Sequence, residues 1–271
     1  MTALDDEPDA RRRPRLSAPR IAEVVAGELR QQIIDGELAD GDFLPRQDLL
    51  VERFNVGLVS LREALRILET EGLVSVRRGN RGGAVVHAPA KASAAYMIGL
   101  LLQRDEVQLG DLGTALQELD PMCAALAARR TDRGDTLVPK LREINESMAE
   151  HIADVPSYAA IGGQFHDEVV GGCGNATMVA VVGRLETLLS SHHDHWARER
   201  AERGQYPSLN QRRNTLNAHV KMTDAIEAGD DERARKLAAK HISTTQSYLS
   251  DRDLAQRIVA MSPQALAGRR G

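Results

Sequence analysis

The sequence predicts a mainly α protein: an N-terminal winged helix-turn-helix with a small β wing, then an all-α helical-bundle domain. Three observations predict it. Apolar residues recur every three or four positions along most of the chain. The 271 residues are 42% hydrophobic but only 3% aromatic, a balance that suits helices burying aliphatic stripes better than β-sandwiches with aromatic cores. Residues 43–86 place two helical patterns, a break at Asn55-Val56-Gly57 and two β-like runs in one short block.

Residues 1–18 mix Asp5, Asp6, Glu7 and Asp9 with Arg11, Arg12, Arg13 and Arg15 around two prolines. Such a composition cannot bury a core and reads as a disordered arm, either a solvated tail or one that touches DNA. A DNA-binding winged helix-turn-helix is expected over 19–88. Pro19 suits a first helical turn, and Ile21, Val25, Leu29 and Ile33 recur every four residues up to Gly36. Gly41-Asp42 turns the chain, and Leu49, Leu50 and Phe54 are expected to bury the second helix until Asn55 ends it in a left-handed conformation. The third helix starts between Gly57 and Ser60, with Gly57 as N-cap or Ser60 and Glu63 as a capping box. It carries Leu61, Leu65 and Leu68 inward and Arg62 and Arg66 outward, and Gly72 closes it. Leu73 to Arg77 and Ala84 to His87 then make the wing, joined by a glycine-arginine tip. One helix to enter a major groove, one to brace it and a hairpin to reach the backbone are the parts of a duplex reader.

These residues also carry a resemblance. Leu44-Pro45, Phe54-Asn55-Val56, the run from Leu61 to Glu69, Glu71-Gly72-Leu73-Val74 and Arg78 to Gly83 are similar to the GntR superfamily of bacterial transcription regulators, over roughly residues 20–88. The resemblance implies that Arg62 contacts DNA. Ser60 and the backbone of Gly57 stand where the helix would approach phosphates, Arg46 and Arg66 are further phosphate candidates, and Arg78, Gly79, Asn80 and Arg81 form the wing tip. The chain departs from the family pattern at Gly57-Leu58, where serine-arginine is usual, and at Asp48, where an arginine is common.

The formal net charge of −4 argues against a general polyanion binder, but every basic residue before Lys91 is an arginine and these are clustered, so the positive field is local. Residues 89–99 are expected to be a linker, 100–252 a helical ligand-binding and dimerisation domain, and 253–271 a tail. Leu112, Leu116, Leu119, Cys123 and Leu126 form one stripe; Leu137, Leu141, Ile144 and Met148 a second; Tyr158, Ile161, Phe165 and Val169 a third. Gly171 to Asn175 breaks the chain before Val179, Val182, Leu185 and Leu189, and Gly229-Asp230 separates two last helices, about 210–228 and 231–249. Two cysteines without metal-ligand spacing, an N-terminus lacking an apolar leader and the lack of a ~20-residue apolar run predict a cytoplasmic protein with no membrane span.

His166, His219 and His241 each fall on an apolar stripe, and three histidines on three helices could meet in one cavity or serve as ordinary hydrogen-bonded core residues. The segment around Phe165-His166, Ala218-His219, Ala228-Gly229-Asp230 and Lys240-His241 resembles the FCD ligand-binding domain of the FadR subfamily, over about 100–250. That resemblance implies a divalent metal, often zinc or nickel, held by three histidines and an aspartate four residues before the first, with the metal helping to hold an organic-acid effector. Gly162 stands at the aspartate position, leaving Gln164, Asp120 or another group to replace it; Gln164 and the three histidines are the effector candidates. His192, His193 and His195 read as a surface or pocket-rim feature in which His192 shares a face with His195 or Trp196, and Arg198, Arg200 and Arg203 as exposed residues or carboxylate partners. The expected function is a homodimeric repressor that binds an inverted-repeat DNA operator and is released by a small carboxylate. The alternative is a metal-dependent enzyme fused to a DNA-binding head, which lacks a general base at HExxH spacing.

Overall fold

In the computed structural model the chain folds as two compact units, Met1–Ala90 and Lys91–Gly271; residues 21–77 and 83–263 are described. The fold is mainly α, with one two-stranded sheet among the described residues.

The first unit holds α1 (Ile21–Ile34), α2 (Gln47–Phe54), α3 (Leu58–Thr70), β1 (Val74–Arg77) and β2 (Gly83–Val86). Val25, Ala26, Leu29 and Ile33 of α1 pack against Leu50 of α2, Leu61, Ala64, Leu65 and Leu68 of α3, and Val74 and Val86 of the sheet. Two residues expected in this core face solvent. Ile21 is exposed because Ala22 and Ala26 share the buried stripe with Val25 and Leu29, and Leu49 is exposed because an eight-residue helix can aim only one of two adjacent leucines inward.

Asn55 ends α2 in the left-handed conformation, φ 50°, and its backbone N–H bonds the Glu52 carbonyl. Gly57 caps α3, so the Ser60-Glu63 box is not used: Glu63 instead accepts from Arg66 one turn on. Gly72 leaves α3 at φ +75°, a conformation that a side chain would strain. The strands pair antiparallel from Val74 with Val86 to Arg77 with Gly83, and the N–H of Leu44 donates to the Ala84 carbonyl on β2's other side. The expected wing tip, Arg78, Gly79, Asn80 and Arg81, and the arm at 1–18 lie outside the described residues.

The second unit is helical throughout: α4 (Lys91–Arg104), α5 (Leu109–Arg129), α6 (Arg133–Thr136), α7 (Val138–Glu150), α8 (Val155–Gly171), α9 (Ala176–Glu202), α10 (Leu209–Ala228), α11 (Asp231–Gln246) and α12 (Asp251–Leu254). The helix α5 is central and packs against α8, α9, α10 and α11. One core joins its Ala124, Ala127 and Ala128 to Leu141, Phe165, Met222, Ile226 and Ala234; another joins Leu112, Leu116 and Cys123 to Val170, Val182 and Leu188. Gly229 takes φ +71° after α10, and the Asp230 carboxylate then accepts from the Arg233 N–H, so one dipeptide stops a helix and starts the next.

The stretch 89–99, expected as a linker, is helical from Lys91. Its small residues are packing surfaces: Ala95 is buried, and a Cβ on Gly99 would lie 3.0 Å from Leu188 on α9. The segment expected as a tail is likewise held down through residue 263. Arg200 pairs with Asp253, the Leu109 N–H donates to the Gln256 carbonyl, and Ile258 is fully buried. Among the described residues no helix is long and apolar enough to cross a membrane.

Neighbouring positions on α3 therefore have opposite roles, and substitution separates them. Leu61→Ala deletes a fully buried side chain and is expected to destabilise the first unit by about 2–5 kcal/mol. Arg62→Ala, at an exposed position, should change stability by no more than about 0.5 kcal/mol. Urea denaturation followed by circular dichroism checks both.

Candidate functional site

On the first unit the outward side of α3 is the candidate DNA surface. Arg62 is exposed and has no ion pair among the described residues, whereas the Arg66 guanidinium is held by Glu63 at 2.7 Å, an exposed pair that phosphate could displace. Arg46 lies at the N-terminus of α2, 3.1 Å from Asp48. Asp48 thus sets a carboxylate against the Arg46 guanidinium. Gly57 is exposed at the N-terminus of α3 and Ser60 is half-buried one turn later. Leu58 and Val59, to which the sequence reading gave no role, project from the first turn, Val59 with 82% of its surface exposed.

In the helical unit, α8, α10 and α11 bring three imidazoles together. His166 follows the buried Phe165, His219 lies four residues before Thr223, and His241 lies between Ala238 and Ile242. The Nε2 atoms of His166 and His219 each lie 3.1 Å from Nε2 of His241. His241 has one site at that nitrogen, so at most one of the two contacts can be a straight hydrogen bond through its proton. The three ring nitrogens could instead share a metal ion, which accepts a lone pair from each. His219 is fixed by stacking on Phe165, centroids 4.0 Å apart, and its Nδ1 is buried without a hydrogen-bond partner among the described residues. The Thr223 hydroxyl donates to the His219 carbonyl and accepts from Asn145, which ties α7 to α10 beneath the site.

Gly162, one turn before His166, presents only hydrogen towards the same space; a Cβ there would make an ordinary 3.5 Å contact with Met148. Gln164 does not compensate, because it is exposed and does not line the cavity: two positions from His166, it faces away across the helix. Asp120 of α5 does approach, its Oδ2 3.6 Å from Nδ1 of His166. It therefore stands behind the ring, on the side away from the three convergent nitrogens. Glu186 of α9 joins it as a second buried carboxyl.

The histidines line a cavity of about 150 Å³ walled mainly by α5, α8, α9, α10 and α11, with Met148 of α7 also lining it. Tyr158, Trp196, Tyr206 and Tyr248 line it, with Arg212 the only arginine to do so among the described residues. The sequence reading took His192 as the partner of His195 or Trp196. It is His193 that lies in the cavity, stacked on Trp196 at 5.2 Å, while His195 is exposed and His192 accepts from the Val259 N–H. Arg200 and Arg203 are occupied by Asp253 and Glu199, and Arg198 is exposed. Arg212 was missed; its guanidinium donates to the Ile152 carbonyl, and its own carbonyl accepts from the Tyr158 hydroxyl. Nothing in a polar run such as Gln211-Arg212-Arg213 signals which arginine turns inward.

Burial sets the charge states. Desolvation first, and then the neighbouring imidazoles, push His219 well below the usual histidine range. Desolvation and His166 take His241 to about 3 and His193 to about 4. The Glu186 carboxyl is pushed well above the usual carboxylate range, first by burial and then by the neighbouring Asp120. At neutral pH His193, His219 and His241 are thus uncharged, the form in which imidazole coordinates metals.

Comparison with known proteins gives a consistent picture. The model described as bacterial regulatory proteins, gntR family, matches residues 21–86, and the FCD domain model matches residues 111–244. The chain is 26% identical over 254 residues to the putative HTH-type transcriptional regulator RmpR of Mycobacterium gastri, covering 93% of this chain and 89% of that protein. It is 29% identical over 248 residues to the HTH-type transcriptional repressor NanR of Enterobacter sp. strain 638, covering 88% of each. The solved structure of Streptococcus agalactiae GntR shares the fold, with a TM-score of 0.62 at 21% identity over 84% of this chain and 100% of that one.

The neutral histidines make stability depend on pH with a definite sign. Their folded-state affinity for protons is below that of the unfolded chain, so unfolding takes up protons once the pH drops below about 6.5, and stability falls as acid is added. The effect runs down to about 3 for His241. Each such histidine contributes a slope of up to about 1.4 kcal/mol per pH unit. Glu186, shifted upward, opposes the slope above the ordinary carboxylate range, so the comparison must be between proteins. Metal-free His241→Gln is expected to lose stability less steeply than the parent between pH 6.5 and 4.5, by chemical denaturation at each pH.

Proposed function

Since the chain belongs to the GntR family, carries an FCD domain, and is a ligand-responsive DNA-binding transcription regulator rather than an enzyme, we propose that it acts as a cytoplasmic homodimeric repressor. Two copies of α3 would read the halves of an inverted-repeat operator, with Arg62 on bases or phosphate and Gly57, Ser60, Arg46 and Arg66 on the backbone. The residues Arg78, Gly79, Asn80 and Arg81 would extend the contact. A small carboxylate bound in the helical cavity would favour a state with weaker operator affinity, and the free energy available to the switch is the difference in effector affinity between the two states. The observation that carries the effector reading is the cavity lined by three convergent imidazoles, Arg212 and aromatic rings.

The histidine site fits a divalent metal such as zinc or nickel. Nε2 of His166, His219 and His241 would hold it, Asp120 would steady His166 from its Nδ1 side, and Gly162 leaves a position open to a carboxylate from the effector. The bound ion would supply positive charge and an open coordination position for that carboxylate. Arg212 and Tyr206, on the cavity wall, would meet the rest of the molecule.

The regulator reading is tested by fluorescence anisotropy with the full-length protein and a duplex recovered from its own upstream region. Affinity should fall steeply with salt, and Arg62→Ala should weaken specific binding by roughly tenfold or more, the loss of about 1–3 kcal/mol that one good base contact carries. Equal affinity for operator and scrambled duplex would refute it. The metal reading is tested separately by elemental analysis after dialysis against zinc. About one ion per chain is expected, falling towards zero in His219→Ala. Gly162→Asp, with room for its Cβ, should tighten binding roughly tenfold, equivalent to about 1.4 kcal/mol.

A further inference from the structure

The first turn of α3 carries a feature that the arginine contacts do not use. Leu58 and Val59 are large apolar residues with 42% and 82% of their surface exposed, at the end of the helix that begins on Gly57. Neither belongs to the core of the first unit, which α3 enters through Leu61, Ala64, Leu65 and Leu68. On a helix, Leu58 lies one turn before Arg62, and Val59 lies three and seven residues before Arg62 and Arg66. The apolar pair and the two arginines therefore occupy one outward stripe, with the apolar residues at its N-terminal end.

Water solvates such side chains poorly, and burying them is favourable at about 25 cal/mol per Å². In a major groove the one apolar group on a base edge is the C5 methyl of thymine, and a short aliphatic side chain is what recognises it. Leu58 and Val59 have no hydrogen-bonding atom in their side chains, so neither can read guanine or adenine directly. Charge selects duplex DNA as the occupant, because Arg62, unpaired among the described residues, lies on the same stripe within a turn of both. Packing of another protein there would bury that cation.

We propose that Leu58 and Val59 are specificity-determining residues that read thymine methyl groups at the start of each operator half-site. The inference rests on α3 being the helix that enters the groove. It places thymine, rather than a base demanded by a bidentate side chain, opposite the first turn, with Arg62 contacting the duplex one turn further along.

The test uses the full-length protein and a random duplex library to recover a preferred sequence. Each thymine in that sequence is then replaced singly by deoxyuridine, which removes the 5-methyl group and leaves the pairing unchanged. At one or two thymines per half-site the parent protein is expected to lose affinity about three- to fivefold, the effect of one buried methyl. Symmetric replacement in both half-sites should lose about tenfold or more. In Val59→Ala or Leu58→Ala the same replacement should become nearly neutral, since the contact is already gone; both positions are exposed, and unchanged unfolding curves will verify the fold. Leu58→Arg should move the preference towards guanine at that position. If every deoxyuridine duplex binds within twofold of its parent, or if both alanine variants keep the full sensitivity, the methyl contact is refuted while the regulator reading stands. If no duplex is enriched at low salt, both fail.

Discussion

The cost of bringing three imidazoles together, two of them buried, is the constraint around which the helical unit is organised. An imidazole removed from water must stay neutral and must find partners for its nitrogens. The surrounding helices respond to both demands. Phe165 covers one face of His219, Asp120 approaches the far nitrogen of His166, and the Asn145–Thr223 pair ties off polar groups just below. What protein groups leave unsolved is the meeting of three Nε2 atoms on His241 and the bare Nδ1 of His219. A polar arrangement that is only partly satisfied is expensive. Its persistence in the interior is understandable when the space between the rings is for a guest.

The first unit obeys a simpler rule. Its core is aliphatic, built from α1, one residue of α2, four of α3 and the sheet, with no ionisable side chain among its buried members. The stability of α3 therefore comes from its inner face alone, and its outer face is free to vary. Arg62, Arg66 and Val59 can specify a partner without disturbing Leu61, Leu65 or Leu68, which face inward from the same three and a half turns, and Leu58 borders the two faces. The helical unit has no such separation, because its cavity is lined by the helices that form its cores.

Much of this could be read from the sequence where a residue's chemistry dictates its backbone. Asn55, Gly72 and Gly229 occupy left-handed positions as their side chains permit, and Asp230 caps the helix that follows. The three histidines were legible because each repeats with apolar neighbours at helical spacing. Rotation about a helix was not legible to better than one residue: Leu49 looks equivalent to Leu50, and His192 to His193, until tertiary packing chooses one of each. Composition also misled at 89–99, where alanine, serine and glycine suggest a linker yet allow α4 to approach α9 closely. Asp120 is legible only as one of several candidates to supply what Gly162 lacks, and Arg212, in a polar run, gives no signal; only the fold brings both to the cavity.

The position of the cavity explains how a small guest could influence a whole domain. Its walls come from α5, α8, α9, α10 and α11, with Met148 of α7 beside them, so among the described helices an occupant is in reach of every long one except α4. Two of those helices are already joined beside it, where the Tyr158 hydroxyl of α8 donates to the Arg212 carbonyl of α10. The three histidines join α8, α10 and α11. A molecule that engages Arg212 and the imidazoles together touches all three helices, so its fit depends on how α8 and α11 pack against α10. Packed helices shift between discrete arrangements more readily than they deform. Binding of a guest there would therefore select among helix arrangements rather than stretch one.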